Sequence, residues 1–135
     1  MIKSGLQIAP AVVSAIAILT GALNLIGGSD SLRILDESLP APFAAVDSQI
    51  RFFGAIWLGF GVTLFWIIST IEKHTTLFRL LMAAIFLGGV GRLLSAITIE
   101  TPPLLFVVLM VFELLGTPAL IFWQSRLNEY VYGQL

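Results

Sequence analysis

The chain contains no cysteine and a single histidine, His74, among its 135 residues. The first absence excludes disulfides, thiolate metal sites and a cysteine nucleophile. The second argues against a histidine cage for a metal and against haem held by paired imidazoles. Charge is scarce as well: 11 % of the residues are charged and the formal net charge is −1. No basic run is long enough to follow a nucleic-acid backbone, so nucleic acid is not an expected partner. What fills the chain is apolar, with 58 % hydrophobic residues and a mean hydropathy of +1.00. Soluble domains sit near roughly 45–50 % apolar and about 25 % charged residues. A chain this short of polar groups cannot cover its surface in water, which makes it a membrane protein.

A spanning helix needs about 20 apolar residues. Four stretches meet that length, at about 5–27, 50–71, 77–99 and 104–125. The first follows Lys3, as a signal peptide would, but the run is too long for such a segment and no A-x-A site closes it. An uncleaved first span is expected. Short links, residues 72–76 and 100–103, join the second to the third span and the third to the fourth, which makes these neighbours antiparallel. Pro102 and Pro103 end one helix and start the next, with Thr101 as its N-cap. The one substantial loop, 28–49, has room for a helical turn or two over Ser31–Glu37 on the membrane surface before Pro40 and Pro42. Asp47 or Ser48 is expected to cap the second span, and Asp47 lies four residues before Arg51. With both termini cytoplasmic, Lys3, Lys73, Arg79 and Arg126 fall inside, against Arg33 and Arg51 outside, as the positive-inside rule prefers. The expected fold is therefore all-α: one domain, residues 1–135, an antiparallel four-helix membrane bundle with loop 28–49 outside.

Within the apolar stretch 77–99 stands GGVGRLLS, residues 88–95, with a guanidinium at Arg92. Arg92 lies seven residues before Ile99, about 10 Å below the helix end at 1.5 Å per residue. Glu113 lies nine residues after Leu104, about 13 Å below the same surface. An unpaired charge at that depth costs several kcal/mol, so the two are expected to pair. Asn24 near the end of the first span and Arg51 at the start of the second complete an outer polar group: Asn24, Arg51, Arg92 and Glu113. Two arginines against one buried carboxylate leave an excess positive charge, for Asp47 or a bound anion to offset. The group reads either as a clamp that sets helix register or as an outward-opening site for an anionic or polar lipid head group or a partner. An ion conduit would also need polar groups through the inner half, where the spans carry no charge until their last turns.

Small residues four apart, Ala17/Gly21, Ala55/Gly59, Ala84/Gly88 and Gly91/Ser95, allow close helix approach. Gly54, Gly59, Gly88 and Gly91 are accordingly the expected packing positions, with Gly61 and Gly89 extending their faces. Such faces exceed what one bundle requires, so a homo-oligomer is expected. Pro118, within Gly116-Thr117-Pro118, removes a hydrogen bond to Leu114 and should kink the fourth helix beside Glu113. No His or Lys lies at membrane depth to activate a Ser or Thr, the acids Asp36, Glu37 and Asp47 lack metal-loop spacing, and GGVG follows no strand. The expectation is no catalytic centre, no metal and no cofactor.

Three blocks, DSQIRFFGAIWLG at 47–59, FLGGVGRLLS at 86–95 and ELLGTP at 113–118, together resemble a family of small bacterial four-helix membrane proteins known as a domain of unknown function. The resemblance spans nearly the whole chain and includes Arg51, Arg92 and Glu113. It implies no enzymatic activity and a place in the bacterial inner membrane. The relatives this chain is similar to are trimeric envelope proteins, which implies a trimer and a role in cell-envelope integrity. A small transporter or channel component for a polar or anionic solute is the alternative.

Overall fold

The computed structural model describes residues 2–34 and 43–132, with side chains over 7–34 and 43–126. Every regular element among them is helical: α1 Ile2–Gly27, the single turn α2 Asp30–Arg33, α3 Ala44–Ile67 running into a 3₁₀ turn at Ile68–Thr70, and α4 Thr75–Thr98. Then come α5 Leu104–Val111, a π turn at Phe112–Gly116, and α6 Thr117–Tyr132. Four stretches are long and apolar enough to cross a membrane: Gln7–Gly27, Ala44–Thr70, Thr75–Thr98 and Leu104–Arg126. In hydrocarbon no water satisfies the backbone, so each crossing must close its own hydrogen bonds as a helix. The surface agrees, since Ile26, Ile99 and Leu104 are each more than three-quarters exposed. The chain is a multi-pass membrane protein.

Element boundaries differ from the sequence expectation where local chemistry overrides hydropathy. The second span begins at Ala44, with extended Phe43 (φ −109°, ψ 150°) as its N-cap residue, so neither Asp47 nor Ser48 caps it. Asp47 sits instead in the first turn, where a carboxylate complements the helix dipole. Pro103, also extended, precedes α5 in place of Thr101. The surface turn expected over Ser31–Glu37 is seen as Asp30–Arg33, and the remainder, with Pro40 and Pro42, lies outside the described residues.

The chain forms two compact units, Gln7–Ser69 and the chain from Thr70 onward together with the residues before Gln7. In the first unit α1 and α3 meet along small residues. A Cβ on Gly21 would stand 2.5 Å from the Leu58 amide nitrogen, and one on Gly61 would stand 2.8 Å from that of Ile18. The backbones are therefore closer than any side chain allows. Buried Ser14 uses the approach, donating to the Gly61 carbonyl at 2.9 Å. Gly54 belongs to the same seam, against Asn24 and Leu25. In the second unit α4 packs on α5, the π turn and α6. Phe78, Met82 and Ile85 of α4 are buried, as is Leu120 of α6, and Gly89 lies against Glu113 and Leu114.

Three of the expected packing glycines lie elsewhere. A Cβ on Gly59, Gly88 or Gly91 would meet nothing within 4 Å, and all three are exposed. Among the described residues these three glycines pack on no neighbouring helix of the chain itself. One residue is 100° of rotation, which turns Gly88 outward while Gly89 faces the neighbouring helix.

Pro118 produces a π turn ending just before it. In that wider register the Glu113 carbonyl would await the N–H of residue 118, which proline lacks. The Thr117 hydroxyl donates to it instead, at 2.6 Å. That carbonyl is thereby taken and does not serve Arg92.

Candidate functional site

Arg92 and Glu113 meet inside the second unit. Arg92 Nε lies 3.0 Å from one Glu113 oxygen and 3.2 Å from the other, so a single N–H is shared between both. The Glu113 side chain is 12 % exposed and that of Arg92 37 %, which leaves the outer part of the guanidinium accessible. The Phe106 ring centroid lies 5.4 Å from the guanidinium carbon, a cation–π distance. Among the described residues the two terminal amino groups of Arg92 make no hydrogen bond. Four of the five guanidinium N–H donors thus find no acceptor among the described residues.

Asn24 and Arg51 belong to the first unit and find their partners there. Gly28 follows α1 with φ +57°, the left-handed conformation that ends a helix, and its N–H returns to the Asn24 carbonyl at 2.9 Å. Arg51 donates from NH1 to the Leu25 and Ile26 carbonyls, at 3.0 and 2.7 Å, which lack helical partners at that terminus. Its Nε donates to Asp47 at 2.7 Å, and Asp47 in turn accepts from the Ser29 N–H and hydroxyl. Ser31 Oγ is 2.7 Å from Asn24 Oδ1 and 2.6 Å from the Gly28 carbonyl, with one proton for the two. The excess positive charge counted over the four polar residues thus resolves locally: Asp47 offsets Arg51, and Glu113 offsets Arg92.

A third polar group escaped the sequence reading. Near the start of α4, Arg79 donates from Nε to Gln124 Oε1 at 3.2 Å and from NH2 to Ser125 Oγ at 2.9 Å. Gln124, fully buried, donates onward to Thr75 Oγ1 at 2.8 Å. Nothing in the hydropathy of the last span singles out Gln124, and its burial follows from packing, which hydropathy does not report. Thr20 and Thr63 donate back to their own helices, at Ile16 and Gly59, and Thr20 also accepts from Trp57 Nε1. Among the described residues no three His, Asp or Glu side chains cluster as metal ligands would.

Residues 5–124 match the family described as a domain of unknown function, DUF4345. No curated protein and no solved structure matches the chain.

Proposed function

This chain belongs to the DUF4345 family, and from that premise we propose that it is a non-enzymatic protein of the bacterial inner membrane that supports envelope integrity. It crosses as an antiparallel four-helix bundle with both termini cytoplasmic and the 28–49 connection outside. It works as a homo-oligomer, a trimer by the resemblance drawn from its motifs, and it holds a lipid head group at Arg92. The observation that carries the reading is the set of terminal N–H groups of Arg92 that, beside Phe106 and Glu113, find no acceptor among the described residues. A phosphate accepts from such a planar fork in bidentate fashion. Because Glu113 already neutralises the guanidinium, the site suits a head group with no net charge, its phosphate on Arg92.

The apolar exterior supports direct contact with lipid, and exposed Gly59, Gly88 and Gly91 offer smooth faces to a second copy. A conduit is less well supported, because residues 80–91 of α4, between Arg79 and Arg92, carry no polar side chain. The test is permeability of the envelope to a hydrophobic dye in a bacterium from which the gene is deleted. Permeability should rise, returning to normal with the wild-type chain and not with Arg92→Gln. Unchanged permeability on deletion overturns the reading.

A further inference from the structure

At the other end of α4 from Arg92, thirteen residues and about 20 Å away, Arg79 holds a charge that no described acid offsets. Both of its hydrogen bonds go to neutral groups, Gln124 and Ser125. Gln124 is anchored in turn by Thr75, so the guanidinium is held in one orientation by a buried amide. From this cluster a groove runs between α4 and α6 with a volume of about 440 Å³, lined by Ala83, Phe86, Thr117, Ile121, Phe122 and Ser125. That volume falls within the roughly 300–1,000 Å³ of small-molecule sites. Its two hydroxyls are occupied, Thr117 by the Glu113 carbonyl and Ser125 by Ile121 and Arg79, so the trough offers an apolar lining. The Arg126 guanidinium carbon lies 5.1 Å from the ring centroid of Phe122, one of the walls.

We infer that the groove between α4 and α6 binds one anionic phospholipid, its phosphate on Arg79 and an acyl chain along Ala83, Phe86 and Phe122. The occupant follows from charge and from access. An oriented cation that makes no ion pair among the described residues selects a net negative charge, unlike the neutralised Arg92 pair. Phe122, 63 % exposed, opens the trough toward the surroundings of the spans, where hydrocarbon is the available ligand. From Arg79 to Phe86 is seven residues, about 10 Å of helix descending from the head-group level into the acyl region. The site does not rest on the Arg92 reading and lies in the opposite leaflet.

The test reconstitutes the full chain in phosphatidylcholine nanodiscs holding a minority of phosphatidylglycerol and counts retained lipids by native mass spectrometry after gentle detergent release. Phosphatidylglycerol should be retained above its share of the bilayer. Arg79→Gln should lower that retention about tenfold, the order expected for one charge-assisted contact. Arg79→Lys, which keeps the charge without the fork, should retain an intermediate amount. Ala83→Trp leaves the polar cluster intact and fills the trough, so it should lower retention as well. Arg92→Gln should leave phosphatidylglycerol retention unchanged, which separates this site from the other. Retention of phosphatidylglycerol by the wild-type chain only at its share of the bilayer overturns the inference, as does full retention by Ala83→Trp or by a folded Arg79→Gln. Should Arg79→Gln fail to fold, Ala83→Trp decides.

Discussion

Arg92 holds Glu113 through Nε alone, 3.0 Å from one carboxylate oxygen and 3.2 Å from the other, and its remaining donors make no hydrogen bond among the described residues. The carboxylate is the more enclosed partner, at 12 % exposure against 37 %. Removing one partner therefore differs from removing both. Glu113→Ala strands the guanidinium within the span and should cost about 2 kcal/mol, moderated because a long cation reaches toward the interface. The double change Arg92→Met/Glu113→Leu should cost less, since a lone charge in hydrocarbon is worse than none. Thermal unfolding in one detergent measures both, and the reverse order would show that the pair does not clamp the helices.

Gly28→Ala tests the end of α1. Its left-handed φ of +57° is costly for any residue with a Cβ, by about 1–2 kcal/mol. The added methyl would also collide with the Asp47 carboxylate and crowd the Arg51 guanidinium. The variant should lose more stability than that strain alone, and combination with Asp47→Ala should be less than additive. Strict additivity would mean that the turn and the clamp act separately.

The π turn offers a sharper contrast. Thr117→Val keeps the shape of a buried side chain and removes the donor to the Glu113 carbonyl, so a loss of about 1–2 kcal/mol is expected. In a Pro118→Ala background a backbone N–H returns at 118, and the same Thr117→Val change should then cost measurably less. An equal cost in both backgrounds would show that the hydroxyl does not stand in for the missing N–H.

Glycine position separates packing within the chain from packing between copies. Gly54→Ala forces a methyl to 2.7 Å from the Leu25 nitrogen and should sharply lower the thermal unfolding temperature. A Cβ at Gly88 meets nothing within 4 Å, so Gly88→Leu should leave that temperature unchanged. If copies associate along this face, Gly88→Leu should shift native mass spectra toward the monomer. An oligomer that survives Gly88→Leu would place the contact on another face.

Orientation is accessible because the chain has no cysteine. Arg33→Cys should react with an impermeant maleimide on intact cells, and Lys73→Cys only after the membrane is opened. The opposite pattern would invert the topology.

The sequence by itself determined the solvent and the number of crossings. Four apolar runs of spanning length permit no other regular backbone than helix in lipid, and the observed spans fall on those runs. Depth is also one-dimensional: a rise of about 1.5 Å per residue, counted from the helix ends, brings Arg92 and Glu113 to one level. Only the tertiary structure decided what depends on rotation about each helix axis. In runs apolar on every side, hydropathy carries almost no phase, so Gly89 faced its neighbour while Gly88, Gly91 and Gly59 did not. The same rotation buried Gln124 against Arg79 and brought Ser29 to Asp47, whose pairing with Arg51 four residues on was already legible in the sequence. Of the four polar residues, Arg92 and Glu113 pair in one unit, whereas in the other Arg51 takes Asp47 and Asn24 meets Ser31, partners that packing supplied and hydropathy does not report.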